Sequence, residues 1–285
     1  MRADRLCLTP EEAVTHVDDN TIAVVPALGV TYHGLYEDVA GIASALDDLQ
    51  ARTGLDVPIH VDAASGGFVV PFTDPGHNPW DFRVPRVKSI NASGHKFGLA
   101  PLGVGWVLWR EAADLPDDLV FHVSYLGGDM PTFQVNFSRP AGQVIAQYFD
   151  FVHLGRSGYA AIHGTAHAVA RECAAGIASL PGFRVLHDGD PAKGIPAVVW
   201  TLDPGVQSFT LHELSDRLRM RGWQVQTYPF TGDLATRDFQ RILVRRDFSR
   251  EMARLFLRDV REAVAFLGSR PSAAGSSRPS SYSHL

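Results

Sequence analysis

A strand-like run, Pro58-Ile59-His60-Val61-Asp62, ends in the small residues Ala63-Ala64-Ser65-Gly66-Gly67. Alternation along a strand puts His60 and Asp62 on one face and Ile59 and Val61 on the other. Asp62 then falls at the carboxyl end, where open α/β sheets bind their ligands. A carboxylate there requires a cationic partner, and 34 residues on stands Ser93-Gly94-His95-Lys96-Phe97-Gly98. Such a pair suits pyridoxal phosphate, which needs a lysine amine for its aldehyde and a carboxylate to keep its ring nitrogen protonated. The protonated ring accepts electron density when a bond to a substrate α-carbon breaks. Burial and neighbouring positive charge keep such a lysine nucleophilic. On spacing alone the same two residues also describe an ordinary surface pair. The chain has only three lysines, Lys88, Lys96 and Lys193, against 23 arginines, a bias that GC-rich coding also produces.

Periodicity outlines the elements that must position these residues. Thr9-Pro10-Glu11-Glu12 predicts a helix start, with Thr9 as N-cap and Glu12 completing a capping box. The apolar run 22–26 predicts a buried strand, 35–52 a helix closed by Gly54, and 57–62 a second strand. A helix between two strands is the unit of a parallel sheet covered on its faces. Further strands are expected at 86–92 and 105–109. Such a sheet usually starts earlier in a chain, so the sequence reads as a domain entered in its middle. Residues 142–180 predict a helix interrupted near 155–158. Strands at 183–186 and 197–202, a helix at 211–221, strands at 223–228 and 241–245, and a helix at 249–267 follow. The Ser-, Pro- and Gly-rich stretch 269–285 predicts a flexible tail. The expected organisation is therefore 1–141 as an α/β cofactor-binding part, 142–268 as a linking helix with a small α+β domain, and 269–285 as the tail.

Composition narrows the function classes. Of 285 residues 45% are hydrophobic and 20% charged, the balance of a chain that buries a core. No run of about 18 apolar residues suggests integral membrane association. A net charge of −5 argues against a nucleic-acid partner. Cys7 and Cys173 are too few for a disulfide framework and lack metal-ligand spacing. No apolar signal core follows Met1, so a cytoplasmic location is expected. His163 and His167 stand four apart on a predicted helix, but no third ligand and no metalloprotease glutamate accompanies them. They read as a structural or solvent-facing pair, and no metal is expected. His60, Asp62 and Ser65 lack the Gly-x-Ser-x-Gly nucleophile motif of hydrolases.

Longer motifs add what spacing does not. The segment His60-Val61-Asp62-Ala63-Ala64-Ser65-Gly66-Gly67-Phe68 and the run from Trp80 through Ser93-Gly94-His95-Lys96-Phe97-Gly98 to Gly103 closely resemble the bacterial and plant glutamate decarboxylases, pyridoxal-phosphate-dependent group II amino acid decarboxylases. So do Gly29-Val30-Thr31-Tyr32, Tyr125-Leu126-Gly127-Gly128 and Asn136-Phe137-Ser138-Arg139-Pro140-Ala141-Gly142-Gln143. The resemblance runs from about residue 4 to the end. It implies a fold type I, PLP-dependent transferase-like α/β domain with a mostly parallel sheet, incomplete at its N-terminus, plus a smaller C-terminal α+β domain.

By this resemblance Lys96 is the Schiff-base lysine, Asp62 the pyridinium partner, and Ala64 a residue packed on the ring. Thr31 sits near the phenolic oxygen, and Ser93 and His95 contact the phosphate. Ser138 corresponds to a serine that reaches the neighbouring subunit's phosphate, which implies a homodimer or higher homo-oligomer. Arg241 resembles the arginine that holds a substrate carboxylate, a task suited to a bidentate guanidinium. Tyr125 lies in what resembles an active-site loop over residues 121–133 that covers the small-molecule substrate. His284, next to last, resembles a tail histidine that plugs the site at neutral pH and releases it in acid. The implied reaction converts L-glutamate to 4-aminobutanoate and CO2, with decarboxylation of another amino acid such as aspartate as the alternative. Relatives carry a long segment ahead of the position matching Met1. A truncated, non-catalytic fragment is therefore the reading from a different class. His33, Leu35, Asn91 and residues 227–238 depart from the family pattern.

Overall fold

Residues 2, 5–125, 127–134, 138–206 and 208–269 are described by a computed structural model. His284 and the rest of 270–285 lie outside the described residues. The chain divides into two units, one of Leu8–Gly29 and Tyr36–Tyr159, the other of Met1–Cys7, Val30–Leu35 and Ala160–Leu285.

In the first unit, α1 (Pro10–Thr15) starts where Thr9 Oγ1 accepts from the Glu12 amide. Helix α2 (Val39–Thr53) begins at Asp38, whose carboxylate accepts from the Gly41 amide, and stops at Gly54 with φ 81°. A left-handed residue there suits glycine, which lacks the Cβ that penalises that conformation. Leu35 belongs to the other unit and lies outside the helix expected over 35–52. Strands β1 (Ile59–Asp62) and β2 (Val87–Ala92) pair in parallel, and β3 (Trp106–Trp109) runs antiparallel beside β2. A four-residue helix α3 (Val70–Thr73) follows β1. Val39, Ile42 and Leu46 of α2 pack with Val57, Ile59, Val61 and Val87 in one buried cluster. The α2 face chosen by helical spacing therefore covers the apolar face of β1.

The buried strand expected over 22–26 is corrected. Ile22 is 89% and Val25 54% exposed. The segment forms no regular strand, although it runs parallel to β1, with the Asp62 amide donating to the Pro26 carbonyl and bridges at Val24 and Ala27. Pro26 between them has no amide hydrogen to extend a ladder. The loop expected over 121–133 contains a regular hairpin, β4 (Phe121–Val123) paired with β5 (Met130–Thr132).

Helix α4 (Gly142–Ala178) runs through Gly155, whose φ 56° and ψ −169° interrupt it where a break was expected. Its residues up to Tyr159 belong to the first unit and those from Ala160 to the second. In the second unit β6 (Phe183–His187), β7 (Ala197–Leu202), β8 (Thr227–Pro229) and β9 (Asp238–Leu243) form an antiparallel sheet in the order β6-β7-β9-β8. Helix α5 (Leu211–Arg219) opens with a reciprocal Thr210–Glu213 capping box, and Ser249 caps α6 (Arg250–Gly268). Trp200, Leu214, Leu218, Phe256 and Val260 meet in the core of this unit. The strand expected over 223–228 shrinks to its last residues. Trp223 instead donates to Asp259 of α6 at 2.8 Å and packs edge-on against Phe256. Among the described residues no helix is long and apolar enough to cross a membrane.

Candidate active site

Asp62 closes β1 and Ser93 follows β2, so the parallel pairing brings two strand ends together. The Ser93 amide donates to the Ala64 carbonyl at 3.2 Å, tying the segment after β1 to the lysine turn. Asp62 Oδ1 accepts from the Ala64 amide at 3.1 Å and from Asn91 Nδ2 at 3.0 Å. Its Oδ2 has no hydrogen-bond partner among the described residues. Lys96 Nζ donates to Ser65 Oγ at 3.4 Å. His95 Nδ1 lies 2.9 Å from the Val104 carbonyl, which fixes that nitrogen as the donor. Asp62, Ala64, Ser93, His95 and Lys96 thus lie in one unit, at the carboxyl ends of β1 and β2 and in the segments that follow them.

The turn bearing Lys96 is held from beneath. Gln147 Nε2 on α4 donates to the Gly98 carbonyl at 2.7 Å, and the Tyr159 hydroxyl donates to the same oxygen at 2.9 Å. Gln147 Nε2 also reaches that hydroxyl at 3.1 Å. Burial pushes the Tyr159 phenol up to about 12, so it stays protonated and donates. Phe72 stacks on the Tyr159 ring at 4.9 Å. Next to Gly98, Leu99 takes φ 71°, the only left-handed non-glycine among the described residues. Such strain persists where surrounding contacts over-determine it, and here the Gln147 and Tyr159 bonds do so.

Gln147 and Tyr159 were not singled out from the sequence, and Ser65 entered only through the rejected hydrolase reading. Asn91 carried one signal, its departure from the family pattern. Gln147 carried none, because a buried glutamine on a long helix has no motif.

Thr31 and Arg241 belong to the other unit. There Tyr32 packs edge-on against Phe239 and Tyr228, and the Arg241 guanidinium lies 5.6 Å from the Tyr228 ring centre. Arg241 sits inside β9, paired with Val199. Tyr125, at the turn of the β4–β5 hairpin, is 64% exposed, and Ser138 is also exposed. His163 and His167 are both buried, and His167 Nδ1 donates to the Gly189 carbonyl at 2.8 Å. Among the described residues no group of His, Cys, Asp or Glu has the arrangement of a metal site.

The donor set fits a pyridoxal group: a carboxylate with one oxygen open, a lysine amine on the neighbouring turn, and small residues from Ala63 to Gly67 between them. Crowding explains the small residues, since a Cβ on Gly67 would lie 3.0 Å from that of Ala92. A strand-end carboxylate and a braced lysine turn on an α/β layer define the class. The conserved domain of the pyridoxal-dependent decarboxylases matches residues 2–203, and the chain belongs to that family. Within it, the chain is 52% identical over 277 residues to the glutamate decarboxylase of Aliivibrio fischeri, covering 97% of this chain and 59% of that protein. The glutamate decarboxylase of Lactococcus lactis subsp. cremoris is 42% identical, with 93% and 56% covered. The structure of Lactobacillus brevis glutamate decarboxylase superposes with a TM-score of 0.89 at 44% identity, over 95% of this chain and 61% of that one. A sphingosine-1-phosphate lyase from Burkholderia pseudomallei reaches 0.75 at 26% identity, with 92% and 56% covered. The chain thus spans 56–59% of the length of the curated relatives it matches.

Proposed function

We propose that this chain carries the pyridoxal-phosphate site of a glutamate decarboxylase, which releases CO2 from L-glutamate and leaves 4-aminobutanoate. The observation that carries this reading is the meeting of Asp62 and the Lys96 turn at the carboxyl ends of β1 and β2, in a family defined by that cofactor. The names of its relatives support glutamate as the substrate. When bound, the cofactor supplies an electron sink for the carboxylate-bearing carbon.

The chain's own residues divide the remaining work. Lys96 would hold the cofactor through its amine, and Lys96 or a nearby acid would return a proton after CO2 leaves. Asp62 offers Oδ2 to the ring nitrogen, and Ala64 is small enough to lie under the ring. Ser93 and His95 serve the phosphate, with the His95 ring oriented by its Nδ1–H bond to the Val104 carbonyl. Thr31 serves the phenolic oxygen, Arg241 a substrate carboxylate, and Tyr125 excludes water. Ser138 reaches a second subunit's phosphate, and His284 gates the site with pH. A homo-oligomer is supported by Ile145, Tyr148 and Val152, large apolar side chains exposed on one face of α4.

Borohydride reduction of the 285-residue chain with pyridoxal phosphate, followed by peptide mass spectrometry, tests the site. Label at Lys96 that is lost in Lys96→Ala supports it. Scattered label, or none, overturns the reading that this chain holds the cofactor and leaves it a non-catalytic piece. Release of CO2 from glutamate against aspartate then decides the substrate.

A further inference from the structure

Parallel pairing sets His60 opposite Ser89 and Asp62 opposite Asn91, and their side chains form one line of hydrogen bonds. Ser89 Oγ and His60 Nδ1 are 2.7 Å apart, His60 Nε2 and Asn91 Oδ1 2.9 Å, and Asn91 Nδ2 and Asp62 Oδ1 3.0 Å. The chemistry of the groups fixes the direction of each bond. An ionised carboxylate only accepts, so the Asn91 NH2 must face Asp62 and its carbonyl oxygen must face His60. That oxygen needs a donor, so His60 carries its proton on Nε2. A neutral ring then accepts at Nδ1, and the Ser89 hydroxyl donates to it. Turning the Asn91 amide over would set its oxygen against the carboxylate and its NH2 against the ring N–H. Every donor in the line therefore points toward Asp62.

We propose that Asn91 is a positioning residue for Asp62. Its amide, oriented by His60, holds Oδ1 together with the Ala64 amide and leaves Oδ2 for the ring nitrogen of the cofactor. This rests on the reading of Asp62 as the ring-nitrogen partner. Two N–H donors on one oxygen stop the carboxylate rotating about its Cβ–Cγ bond, and bonds to a charged acceptor are the stronger kind. Ser89, buried at the far end, anchors the ring and has no role at the cofactor itself. If Asn91 merely fills polar space between strands, the Asn91 and His60 substitutions act independently. If it positions Asp62, His60 acts only through Asn91, and the two are coupled.

The test uses the full chain. Nitrogen-15 NMR without cofactor should find His60 in the Nε2–H tautomer in the wild type and in Asn91→Asp, which keeps the acceptor, but not in Asn91→Leu. Titration with pyridoxal phosphate, followed by visible absorbance, should show about tenfold weaker binding for Asn91→Leu and Asn91→Asp. His60→Leu should weaken binding less, and the Asn91→Leu/His60→Leu double variant no more than Asn91→Leu alone. An Nδ1–H tautomer at His60 overturns the proposal. So does wild-type affinity in both Asn91 variants, or additive losses in the double variant. Asn91→Asp keeps the comparison open should Asn91→Leu fail to fold. Wild-type binding no tighter than that of Lys96→Ala overturns the site reading itself, whereas equal tight binding by all variants overturns only the role of Asn91.

Discussion

Gly98 shows how a single position governs the chemistry next to it. A Cβ there would stand 2.5 Å from the Gly94 carbonyl oxygen and 2.7 Å from the Gly94 Cα. Both atoms are backbone of the lysine turn, so neither can swing aside as a flexible side chain would. Gln147 Oε1 at 2.9 Å closes the remaining side. Gly98→Ala is therefore expected to cost roughly 1–3 kcal/mol in overpacking and to shift the turn that carries Lys96. Denaturant unfolding checks the first effect, and reductive labelling at Lys96 checks the second. A variant that unfolds at the wild-type midpoint and labels normally would show that the turn has slack the packing does not reveal.

At the scale of elements, α4 poses a contrasting case in Gly155. Nothing lies within 4 Å of where its Cβ would be, so crowding plays no part. Its φ 56° and ψ −169° lie in a region reserved for glycine, where an L side chain meets its own backbone. Gly155→Ala is expected to destabilise by about 1–3 kcal/mol through conformation alone. The alternative is that the break straightens and α4 becomes continuous. Circular dichroism separates the two outcomes, since straightening raises helix content while simple strain lowers only the unfolding midpoint. The break falls between Gln147 and Tyr159, which both bond the Gly98 carbonyl. Straightening α4 would therefore also disturb the support of the lysine turn.

Across the whole molecule, buried imidazoles concentrate in the unit that holds the antiparallel sheet. Burial above all holds His33 down to about 4, with His187 and Arg241 pushing the same way and the Leu6 carbonyl opposing. Burial likewise lowers His167 and His187. The folded-state pKa of His33 lies below its unfolded value of 6.5, so the unfolded chain takes up its proton first as the pH falls. The stability present above about pH 6.5 is lost as pH drops toward 4, on the order of 2–3 kcal/mol for this one group by pH 4.5. Unfolding measured at pH 7 and pH 4.5 should show that loss in the wild type and a smaller one in His33→Gln. Hydrogen exchange should find the lost protection in β6 to β9. Equal acid sensitivity in the two proteins would remove His33 as its source.

The elements nearest the chemistry were legible in the residues themselves. Gly54 ends α2, Ser249 starts α6, and alternation puts His60 and Asp62 on one face of β1, because caps and periodicity act within about one turn or a few strand residues. The Asp38 cap that starts α2 four residues later than expected was not read. The family motifs likewise marked Asp62 and the Lys96 turn. Tertiary structure alone decided which strand lies against which, because a register is set by contacts between residues far apart in the chain. From that register came the line from Ser89 to Asp62, and from the course of α4 came the Gln147 and Tyr159 brace under Gly98. The same non-local packing left Ile22 and Val25 exposed despite their apolar run, and grouped Tyr32 with Tyr228 and Phe239, far along the sequence. Local preference selects an element and its faces, while the burial available to each face depends on what the rest of the chain brings to it.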